Sequence, residues 1–509
     1  MVLTLYKMDA SPPVRAVYMV IEGLKIPNVK YVETDLLADE HLKDEFLKMN
    51  PQHTIPLLTD GNFQIWDSHA IITYLMNKYG KNSSLYPTDP EKRALVDLKL
   101  HFDSGILYPA LRENDEPIFF GTATSLKPEG VAKIKSAYDF TEKFLTGVHW
   151  LTGNELTIAD MSCVATVSTL NELVPIDEKL YPNITAWIKR CSEFDFYKKG
   201  NQPGLLEFRR LLKEYLLSRI LCNGHYDKTM TRETRIYYIY IHTVGSITVT
   251  IRLIQNGCSG QWHFGPQLEA VRSSLRISEL GFSFEQNLKD ITMGLTVYKI
   301  DSSSPVRSVF MTIEALNIPD VDYVNVNLLE GEQHKEEFTK LNPQHTVPLL
   351  KDDDFCVWDS HAIAVYLVTK YGADDSLYPA DPKKRAVIDQ RLHFDSGILF
   401  PALLEAVLPV FYKGEKSFRP EHLERITKGY EFAEKFLASS QWLAGDQITL
   451  ADICCVSSIS TMDEIIPIDK DLYPNLAGWL KRCGEQEFYK KGNEPGLGQF
   501  RDLKKLKLA

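Results

Sequence analysis

Hydrophobic and polar residues in the first third of the chain alternate between strand-like and helix-like spacing. Leu3 and Leu5 alternate with polar neighbours, as in a strand with one buried face, and apolar residues then recur at helical spacing from Val14 to Ile21. The elements predicted next are a strand at 29–35, a helix at 41–49, strands at 55–58 and 63–66, and a helix from Asp67. Asp60-Gly61 between the last two strands indicates a hairpin. The pattern predicts the order βαβαββα.

The next part of the chain follows helical spacing alone. From Pro90 to about Leu212 the apolar residues recur every three or four positions, so an all-helical domain is predicted there. Interruptions of the helical pattern are expected near Pro117, from Gly147 to Gly153, and near Pro175. The sequence 157–160, Thr-Ile-Ala-Asp, has the pattern of a helix capping box with Asp in place of the usual Glu.

The whole pattern then occurs a second time. A fixed offset of 292 residues carries Tyr6 onto Tyr298 and Phe208 onto Phe500 without a gap. The sequence therefore consists of two copies, at 1–217 and 293–509, each long enough to bury its own core. The expected fold class is α/β plus all-α, duplicated, and the expected domains are 1–82, 88–217, 293–374 and 380–509.

The segment between the copies, 218–292, does not resemble a flexible spacer. It contains one proline, and its stretch 236–251 is rich in β-branched residues and tyrosine with little charge. We expect this segment to be disordered, or to be translated non-coding sequence between two neighbouring coding units. The alternative is a genuine tandem protein in which the two copies pair within one chain.

Composition restricts the class of protein. With 44% hydrophobic and 25% charged residues the chain has the profile of a soluble globular protein, and a net charge of −11 argues against a nucleic-acid partner. The N-terminus lacks a signal-peptide pattern and no run of 18 apolar residues occurs, so no membrane span and a cytoplasmic location are expected. The eight cysteines form no C-x-x-C pair, which argues against a metal site.

The first candidate site lies where the first strand turns into the first helix. Ser11, in the sequence S-P-P-V-R, has Ser303 as its counterpart in S-S-P-V-R. A hydroxyl at a helix N-terminus can stabilise a bound anion such as a thiolate, because the positive end of the helix dipole lies beside it. The alternative is that these serines only cap their helices.

Two further motifs occur in both copies almost unchanged. N-P-Q-H-T-I-P ends at Pro56 and N-P-Q-H-T-V-P at Pro348, and both prolines are candidates for cis peptides that expose the preceding backbone to a ligand. A rigid loop is the alternative. W-D-S-H, at 66–69 and 358–361, offers a carboxylate, a hydroxyl and helix N–H groups, which could hold the ammonium and carboxylate of an amino acid. Helix capping explains part of this motif.

The predicted domains and these motifs together resemble the cytosolic glutathione transferases, most closely the insect epsilon class or the delta class. The resemblance covers both copies almost from end to end. It implies a thioredoxin-like βαβαββα domain followed by a helical domain, and conjugation of glutathione thiolate to small apolar electrophiles in detoxification and xenobiotic metabolism. It also implies glutathione as co-substrate with no cofactor, peroxidase or dehydrochlorinase side activity, and a dimer, which here is either a homodimer of single copies or an intramolecular pseudo-dimer.

The resemblance assigns a role to each matching residue. Ser11 and Ser303 would be catalytic and donate a hydrogen bond to the glutathione sulfur. The glutathione-binding residues would be His41, His53, Ile55, Asp67 and Ser68, with His345, Val347, Asp359 and Ser360 in the second copy. The apolar pocket for the electrophile would be lined by Tyr108, Arg112 and Phe120, and by Phe400 and Tyr412.

The second copy departs from this pattern at two positions. Gln333 replaces His41, although His334 follows directly, and Leu404 replaces Arg112. We expect both copies to be active, with different substrate ranges. We also expect the second copy to bind the glycine end of glutathione more weakly. The competing hypothesis is a non-catalytic binding or interaction module, since one fold can serve many functions.

Overall fold

The computed structural model describes residues 3–80, 84–223 and 294–509, so most of the predicted inter-copy segment lies outside the described residues. The first domain has the predicted order βαβαββα, which confirms the prediction. Its elements are β1 (Leu3–Lys7), α1 (Pro12–Leu24), β2 (Lys30–Glu33), α2 (Asp44–Met49), β3 (Leu57–Asp60), β4 (Phe63–Trp66) and α3 (Ser68–Tyr79).

The four strands form one mixed sheet in the order β2-β1-β3-β4. β1 is parallel to β2 and antiparallel to β3, and β4 returns antiparallel to β3 after the hairpin at Gly61, whose φ is +63°. Leu5, Leu58 and Ile65 are completely buried on the core side of the sheet. The turn that carries Ser11 follows the carboxyl end of β1, and Ser11 is partly exposed there.

The second domain of the first copy is all helical. Its helices are α4 (Pro90–Phe102), α5 (Tyr108–Phe119), α6 (Pro128–Phe144), α7 (Ile158–Leu173), α8 (Pro182–Glu193), α9 (Asp195–Gly200) and α10 (Gln202–Asn223), and a π-helical turn at 103–107 joins α4 to α5. The predicted break near Pro117 is confirmed: α5 ends at Phe119, two residues after this proline, which itself still lies inside the helix because few backbone bonds are lost near a helix end. α10 also extends beyond residue 217, the predicted end of the copy.

The second copy has the same topology, with sheet order β6-β5-β7-β8. Its first domain comprises β5 (Leu295–Lys299), α11 (Ser304–Leu316), β6 (Asp322–Asn325), α12 (Glu336–Leu341), β7 (Leu349–Asp352), β8 (Phe355–Trp358) and α13 (Ser360–Tyr371). Its helical domain comprises α14 (Pro382–Phe394), α15 (Phe400–Tyr412), α16 (Pro420–Leu437), α17 (Leu450–Asp463), α18 (Pro474–Gly484), α19 (Glu487–Gly492) and α20 (Glu494–Leu508).

The two copies pack against each other as one compact unit. α3 lies against α14, and α13 lies against α4. The Thr73 hydroxyl donates to Asp389 over 2.9 Å, and the Gln390 amide donates to the Trp66 carbonyl over 2.8 Å. Aromatic rings pack across the same boundary, with Phe144 6.1 Å from Trp358 between ring centroids.

The helical domain fixes the turn that carries Ser11. Arg15, in the S-P-P-V-R motif, is fully buried, and its guanidinium donates to Asn201 over 2.6 Å and to Thr169. A Cβ at Gly204 would lie 2.0 Å from the carbonyl oxygen of Asp9, so only glycine allows α10 to approach this turn. Arg307 and Gly496 make the same contacts in the second copy. The arginine of the motif is therefore a structural link between the domains.

One helical stretch in the described part of the chain, Pro382–Tyr412, is long and apolar enough to cross a membrane by length and composition. Half of its most apolar window is buried inside the protein, and the core helix of a soluble protein meets the same criterion. Cys163, Cys191, Cys356, Cys454, Cys455 and Cys483 are free, and all of these except Cys356 are buried.

Candidate functional site

Ser11 ends the turn before α1 with φ −71° and ψ 120°, and its hydroxyl makes no capping bond. Ser303 has nearly the same backbone geometry before α11 and likewise leaves its hydroxyl uncommitted. Each serine therefore lies at a helix N-terminus, where the helix dipole favours a negative charge. Pro12 and Pro13 have no N–H group, so Val14 carries the first backbone N–H of α1. Both serines occupy the N-cap position of their helices, as the capping interpretation expects, but side-chain capping does not account for their hydroxyls.

The loop before β3 is rigid in both copies. The Asn50 amide is buried and donates to the Thr54 carbonyl over 2.8 Å, while its oxygen accepts from the Gln52 N–H. The peptide bonds Ile55–Pro56 and Val347–Pro348 are cis. A backbone held in this way can pair with an extended ligand, which is the role expected for Ile55 and Val347.

Asp67 serves as the N-cap of α3. One of its carboxylate oxygens accepts from the backbone N–H groups of His69 and Ala70, at 2.9 and 3.2 Å. Ser68 follows as a buried residue, and Asp359 and Ser360 repeat the arrangement on α13. Capping thus uses one oxygen of each aspartate, which leaves the other oxygen for the ammonium of an amino acid.

The opposite copy completes each candidate glutathione site. The ring of His53 lies 6.1 Å from that of His41 and 6.0 Å from that of Phe432, which belongs to the second copy. The pKa of His53 is lowered by burial and by the positive charge of Lys428, also from the second copy. In the reverse direction, Phe140 lies 5.5 Å from His345, and Lys143 contributes to a lowered pKa of that imidazole.

The substitution of His41 by Gln333 is partly compensated. Gln333 turns its amide back towards the Leu328 carbonyl, whereas the ring of His334 lies 4.7 Å from that of His345. This distance is shorter than that between His41 and His53 in the first copy. The second copy therefore keeps an imidazole beside His345, supplied from the next position along the chain.

A cavity of about 380 Å³ opens beside Ser11 in the first copy. His41, His53 and Ile55 line one wall, and the helical domain supplies the other wall through Tyr108, Arg112, Asp115, Glu116, Phe119, Phe120 and Phe208. The structure thus brings the candidate catalytic serine and the candidate pocket residues of the first copy to one space. Such a mixed cavity, apolar with a few polar groups, is typical of a small-molecule site.

The corresponding wall of the second copy lies on α15 and is more apolar. Phe400 takes the place of Tyr108, and Leu404 takes that of Arg112. Leu404 and Leu408 are 39% and 37% exposed, and Tyr412 is 52% exposed. The two copies therefore share the serine and the loop before β3, and differ in the wall that would meet an electrophile.

Two groups of side chains between the copies come close enough to be considered as metal ligands, namely Asp67 with His69 and His393, and His101 with Asp359 and His361. The imidazole rings in these groups are stacked, with 22° to 24° between their planes. Nitrogen lone pairs in stacked rings run side by side and do not converge on a common point. The arrangement favours a hydrogen-bonded stack of rings over metal coordination.

Sequence reasoning did not find two groups of site residues. Asp115 lies on the same face of α5 as Tyr108 and Arg112, and its spacing of three residues from Arg112 is a signal that could have identified it. Phe432 and Lys428 reach the first site from the opposite copy. No spacing within one copy indicates that contact.

Comparison with protein families gives two matches in each copy. The model described as Glutathione S-transferase, N-terminal domain, matches residues 5–83 and 297–375. The model described as Glutathione S-transferase, C-terminal domain, matches residues 109–195 and 387–487. Together these four segments cover more than half of the chain.

Individual relatives each correspond in extent to one copy. Glutathione S-transferase 1 of Manduca sexta is 66% identical over 218 residues, which are 43% of this chain and 100% of that protein. Among solved structures, glutathione transferase E6 of Drosophila melanogaster is 40% identical and covers 42% of this chain and 97% of its own, with a TM-score of 0.41. An epsilon-class glutathione S-transferase from the housefly, Musca domestica, is 42% identical, with coverage of 42% and 98% and a TM-score of 0.41.

The family models and the Manduca relative agree on one assignment. The two family models and the Manduca protein carry the same family name. The Manduca protein is matched over its whole length, and its identity of 66% is high enough to establish common ancestry. The chain therefore belongs to the glutathione S-transferase family and carries the N-terminal and C-terminal domains of that family twice.

Proposed function

We propose that each copy conjugates the thiolate of reduced glutathione to small apolar electrophiles, with Ser11 and Ser303 as the catalytic residues. The observation that supports this proposal best is that Ser11, whose hydroxyl makes no capping bond, lines a cavity whose second wall includes several aromatic side chains. A free thiol with a pKa of about 8.5 is mostly protonated at neutral pH. A hydrogen bond from the serine and the nearby helix N-terminus stabilise the thiolate and lower that pKa.

The remaining roles that we propose are those that the family resemblance implies. Ile55 and Val347 pair through their backbone with the cysteinyl unit of glutathione. Asp67, Ser68, Asp359 and Ser360 hold the γ-glutamyl end, and His41, His53 and His345 lie at the glycine end. The biological role is detoxification of xenobiotics in the cytosol, with peroxidase or dehydrochlorinase side activity, and glutathione serves as co-substrate without a further cofactor.

Replacement of each serine in the full chain tests the proposal. Conjugation of chlorodinitrobenzene is measured for the Ser11→Ala, Ser303→Ala and doubly substituted chains. A hydrogen bond to a charged group is worth about 1.5 to 3 kcal/mol, so we expect each copy to lose about 10- to 100-fold in kcat/KM. The pH profile of the residual activity should shift towards the pKa of free glutathione.

Retention on glutathione resin provides the control, because a folded variant still binds glutathione. Unchanged turnover in the doubly substituted chain contradicts the roles of Ser11 and Ser303. Retention without any turnover of the unsubstituted chain favours the alternative of a non-catalytic binding module.

We also infer that the two copies function as an intramolecular pseudo-dimer. The contacts of His53 with Phe432 and of His345 with Phe140 support this inference, since each site takes part of its wall from the other copy. The expected native product has the calculated mass of 58.1 kDa on a denaturing gel and elutes as one chain in gel filtration. A native product of half that mass favours two separate proteins that pair as a dimer.

A further inference from the structure

Each copy buries one cation directly behind its candidate catalytic serine. Arg15 lies one helical turn after Ser11, and its backbone N–H donates to the Ser11 carbonyl over 3.1 Å. Its side chain is completely buried. The Cδ atom of this side chain and the carbonyl oxygen of Asp9 both approach Gly204 so closely that a Cβ does not fit there. The arginine side chain therefore lies against the turn that carries Ser11.

No carboxylate pairs with this cation among the described residues. The guanidinium donates to two neutral groups, the Asn201 amide oxygen at 2.6 Å and the Thr169 hydroxyl, and its Nε atom has no partner in the same part of the chain. Burial lowers the pKa of Arg15 to about 9, so the side chain is charged at neutral pH. A buried charge without a counter-charge costs stability.

The charged and titratable groups around this guanidinium do not cancel its charge. Glu172 of α7 is the carboxylate that raises the pKa of the arginine, but both of its oxygens accept from Arg209 of α10, at 2.6 and 2.7 Å. Tyr197 of α9 is neutral at pH 7, because burial raises its pKa. Asp9, in the turn itself, is paired with Lys7 at 2.9 Å. The positive charge behind the turn is therefore not neutralised.

The second copy repeats the arrangement. Arg307 is completely buried, donates to Asn493 and Thr461, and has an Nε atom without a partner among the described residues. Glu464 is again committed to another arginine, Arg501. A neutral side chain such as glutamine can donate to the same two groups without the cost of a buried charge. The link between the domains therefore does not by itself require an arginine.

The first turn of each helix offers few N–H groups to a bound anion. Pro12 and Pro13 have none in the first copy, and Pro305 has none in the second. The free N–H groups of the first turn carry much of the positive partial charge of a helix N-terminus. A cation buried one turn further along the helix restores positive potential at the serine.

We propose that Arg15 and Arg307 are positioning residues whose buried positive charge also stabilises the glutathione thiolate at Ser11 and Ser303. The inference rests on the proposed function, because it assumes that the thiolate lies beside these serines. The charge acts without contact, through a protein interior that screens it less than water does. We expect it to lower the pKa of the bound thiol by about 1 unit, which raises the thiolate fraction about 10-fold below that pKa.

Neutralisation of the charge by an isosteric carboxylate gives the sharpest test. Asn201→Asp keeps the oxygen that already accepts from Arg15 over 2.6 Å, and adds a negative charge there. Full chains that carry Ser303→Ala report on the first copy. The pKa of the bound thiol is measured from the pH profile of kcat/KM for chlorodinitrobenzene and from the ultraviolet absorbance of the thiolate. It should rise by about 1 unit in Asn201→Asp, while the free energy of unfolding does not fall.

Three matched variants separate the charge from the structural link. Arg15→Met removes the charge, so kcat/KM should fall about 10-fold below the native thiol pKa and stay within about 3-fold above the raised one. Arg15→Lys keeps the charge, so the thiol pKa should change by less than about 0.3 unit. Thr169→Val removes one hydrogen bond and keeps the charge, so it should lower the free energy of unfolding and leave the thiol pKa unaltered.

The second copy provides an independent repetition. Asn493→Asp and Arg307→Met, each in the Ser11→Ala chain, should raise the pKa of the thiol bound at Ser303 in the same direction. Thr461→Val is the matched control and should leave that pKa unchanged.

A purely structural role predicts a different pattern. An unchanged thiol pKa in Asn201→Asp, or an equal rise in Thr169→Val, overturns the inference and leaves the proposed function standing. If Arg15→Met does not fold, Asn201→Asp decides alone, because it keeps every bond of the guanidinium. An unsubstituted chain that shows neither thiolate absorbance nor turnover overturns the proposed function, and the inference with it.

Discussion

Two equivalent buried aspartates between the copies differ in a single hydrogen bond. Asp389 accepts from Tyr378 and also from Thr73. Asp97 accepts from Tyr86 at 2.7 Å, but its Oδ2 atom has no partner among the described residues, because Val365 stands where Thr73 stands in the other copy. Burial raises the pKa of Asp97 to about 7. An unpaired carboxylate oxygen in this position costs stability, because it has lost its water without gaining a donor.

Val365→Thr should stabilise the protein by about 1 kcal/mol at neutral pH, because the new hydroxyl can donate to Asp97. The folded pKa of Asp97 lies above the unfolded value, so stability falls as pH rises from about 4 to 7. The stabilisation should therefore appear at pH 7 and above and become small below about pH 4, where the carboxyl is protonated in both states. Urea unfolding at both pH values measures the effect, and Thr73→Val is the matched control, which should destabilise the protein. A gain that is independent of pH contradicts this explanation.

At the scale of elements, the sequence predicted correctly those features that depend on interactions between residues close together in the chain. The alternation in β1, the hairpin at Gly61 and the capping box at Thr157 all occur as predicted, and Asp160 accepts from the backbone N–H of Thr157 at 2.9 Å. The break near Pro117 also occurs, and α5 ends two residues after this proline.

The parts of the site that sequence could not supply depend on contacts between distant segments. Arg15 belongs to a motif that suggested a ligand site, yet the structure buries it against Asn201. Lys428 approaches His53 only because the copies pack together. Spacing within a copy carries no information on such contacts, whereas Ser11, His53 and Asp67 could be named as candidates because they lie in short motifs that occur in both copies.

Four helices, two from each copy, contribute one histidine each to a continuous stack. His69 lies 4.5 Å from His393, His393 lies 4.2 Å from His101, and His101 lies 4.7 Å from His361. Burial lowers the pKa of the inner imidazole His101 to about 3. Burial opposes protonation of the outer imidazoles as well, but Asp67 and Asp103 raise the pKa of His69 to about 10, and Asp359 and Asp395 do the same for His361. Two charged rings therefore enclose two neutral ones.

This stack predicts a stability maximum near neutral pH. The inner imidazoles have folded pKa values below the unfolded value of about 6.5. Their contribution to the free energy of unfolding is therefore lost as pH falls below 6.5. The outer imidazoles have raised values, so their contribution is lost as pH rises from about 6.5 to 10. His101→Phe keeps a stacking ring without a titrating nitrogen. It should reduce the loss of stability between pH 6.5 and 4 by roughly 2 kcal/mol, while the loss of stability at alkaline pH stays unchanged. Denaturant unfolding across this pH range measures both losses, and an unchanged loss of stability at acid pH contradicts the assignment.

At the scale of the whole molecule, the two sites differ in the charge that the opposite copy supplies. The first site receives the positive charges of Lys428 and Lys435 from α16. The second site receives that of Lys143 from α6, where Ser136 takes the place of Lys428. Glutathione has two carboxylates and one ammonium, so a further lysine beside the proposed position of the glycine end should favour its binding. We therefore expect the two proposed sites to differ in their affinity for glutathione.

Lys428→Ser should weaken glutathione binding at the first site alone, because this lysine lies in the second copy but acts on His53 of the first. An exposed ion pair is worth at most about 1 kcal/mol, so the KM for glutathione should rise about 3- to 5-fold in the Ser303→Ala chain, with kcat nearly unchanged. The same substitution in the Ser11→Ala chain should leave the KM unaltered, and Ser136→Lys should lower it there. High salt should reduce both effects by screening. A change of KM at the second site on Lys428→Ser, or at neither site, would show that the copies do not complete one another's sites through this charge.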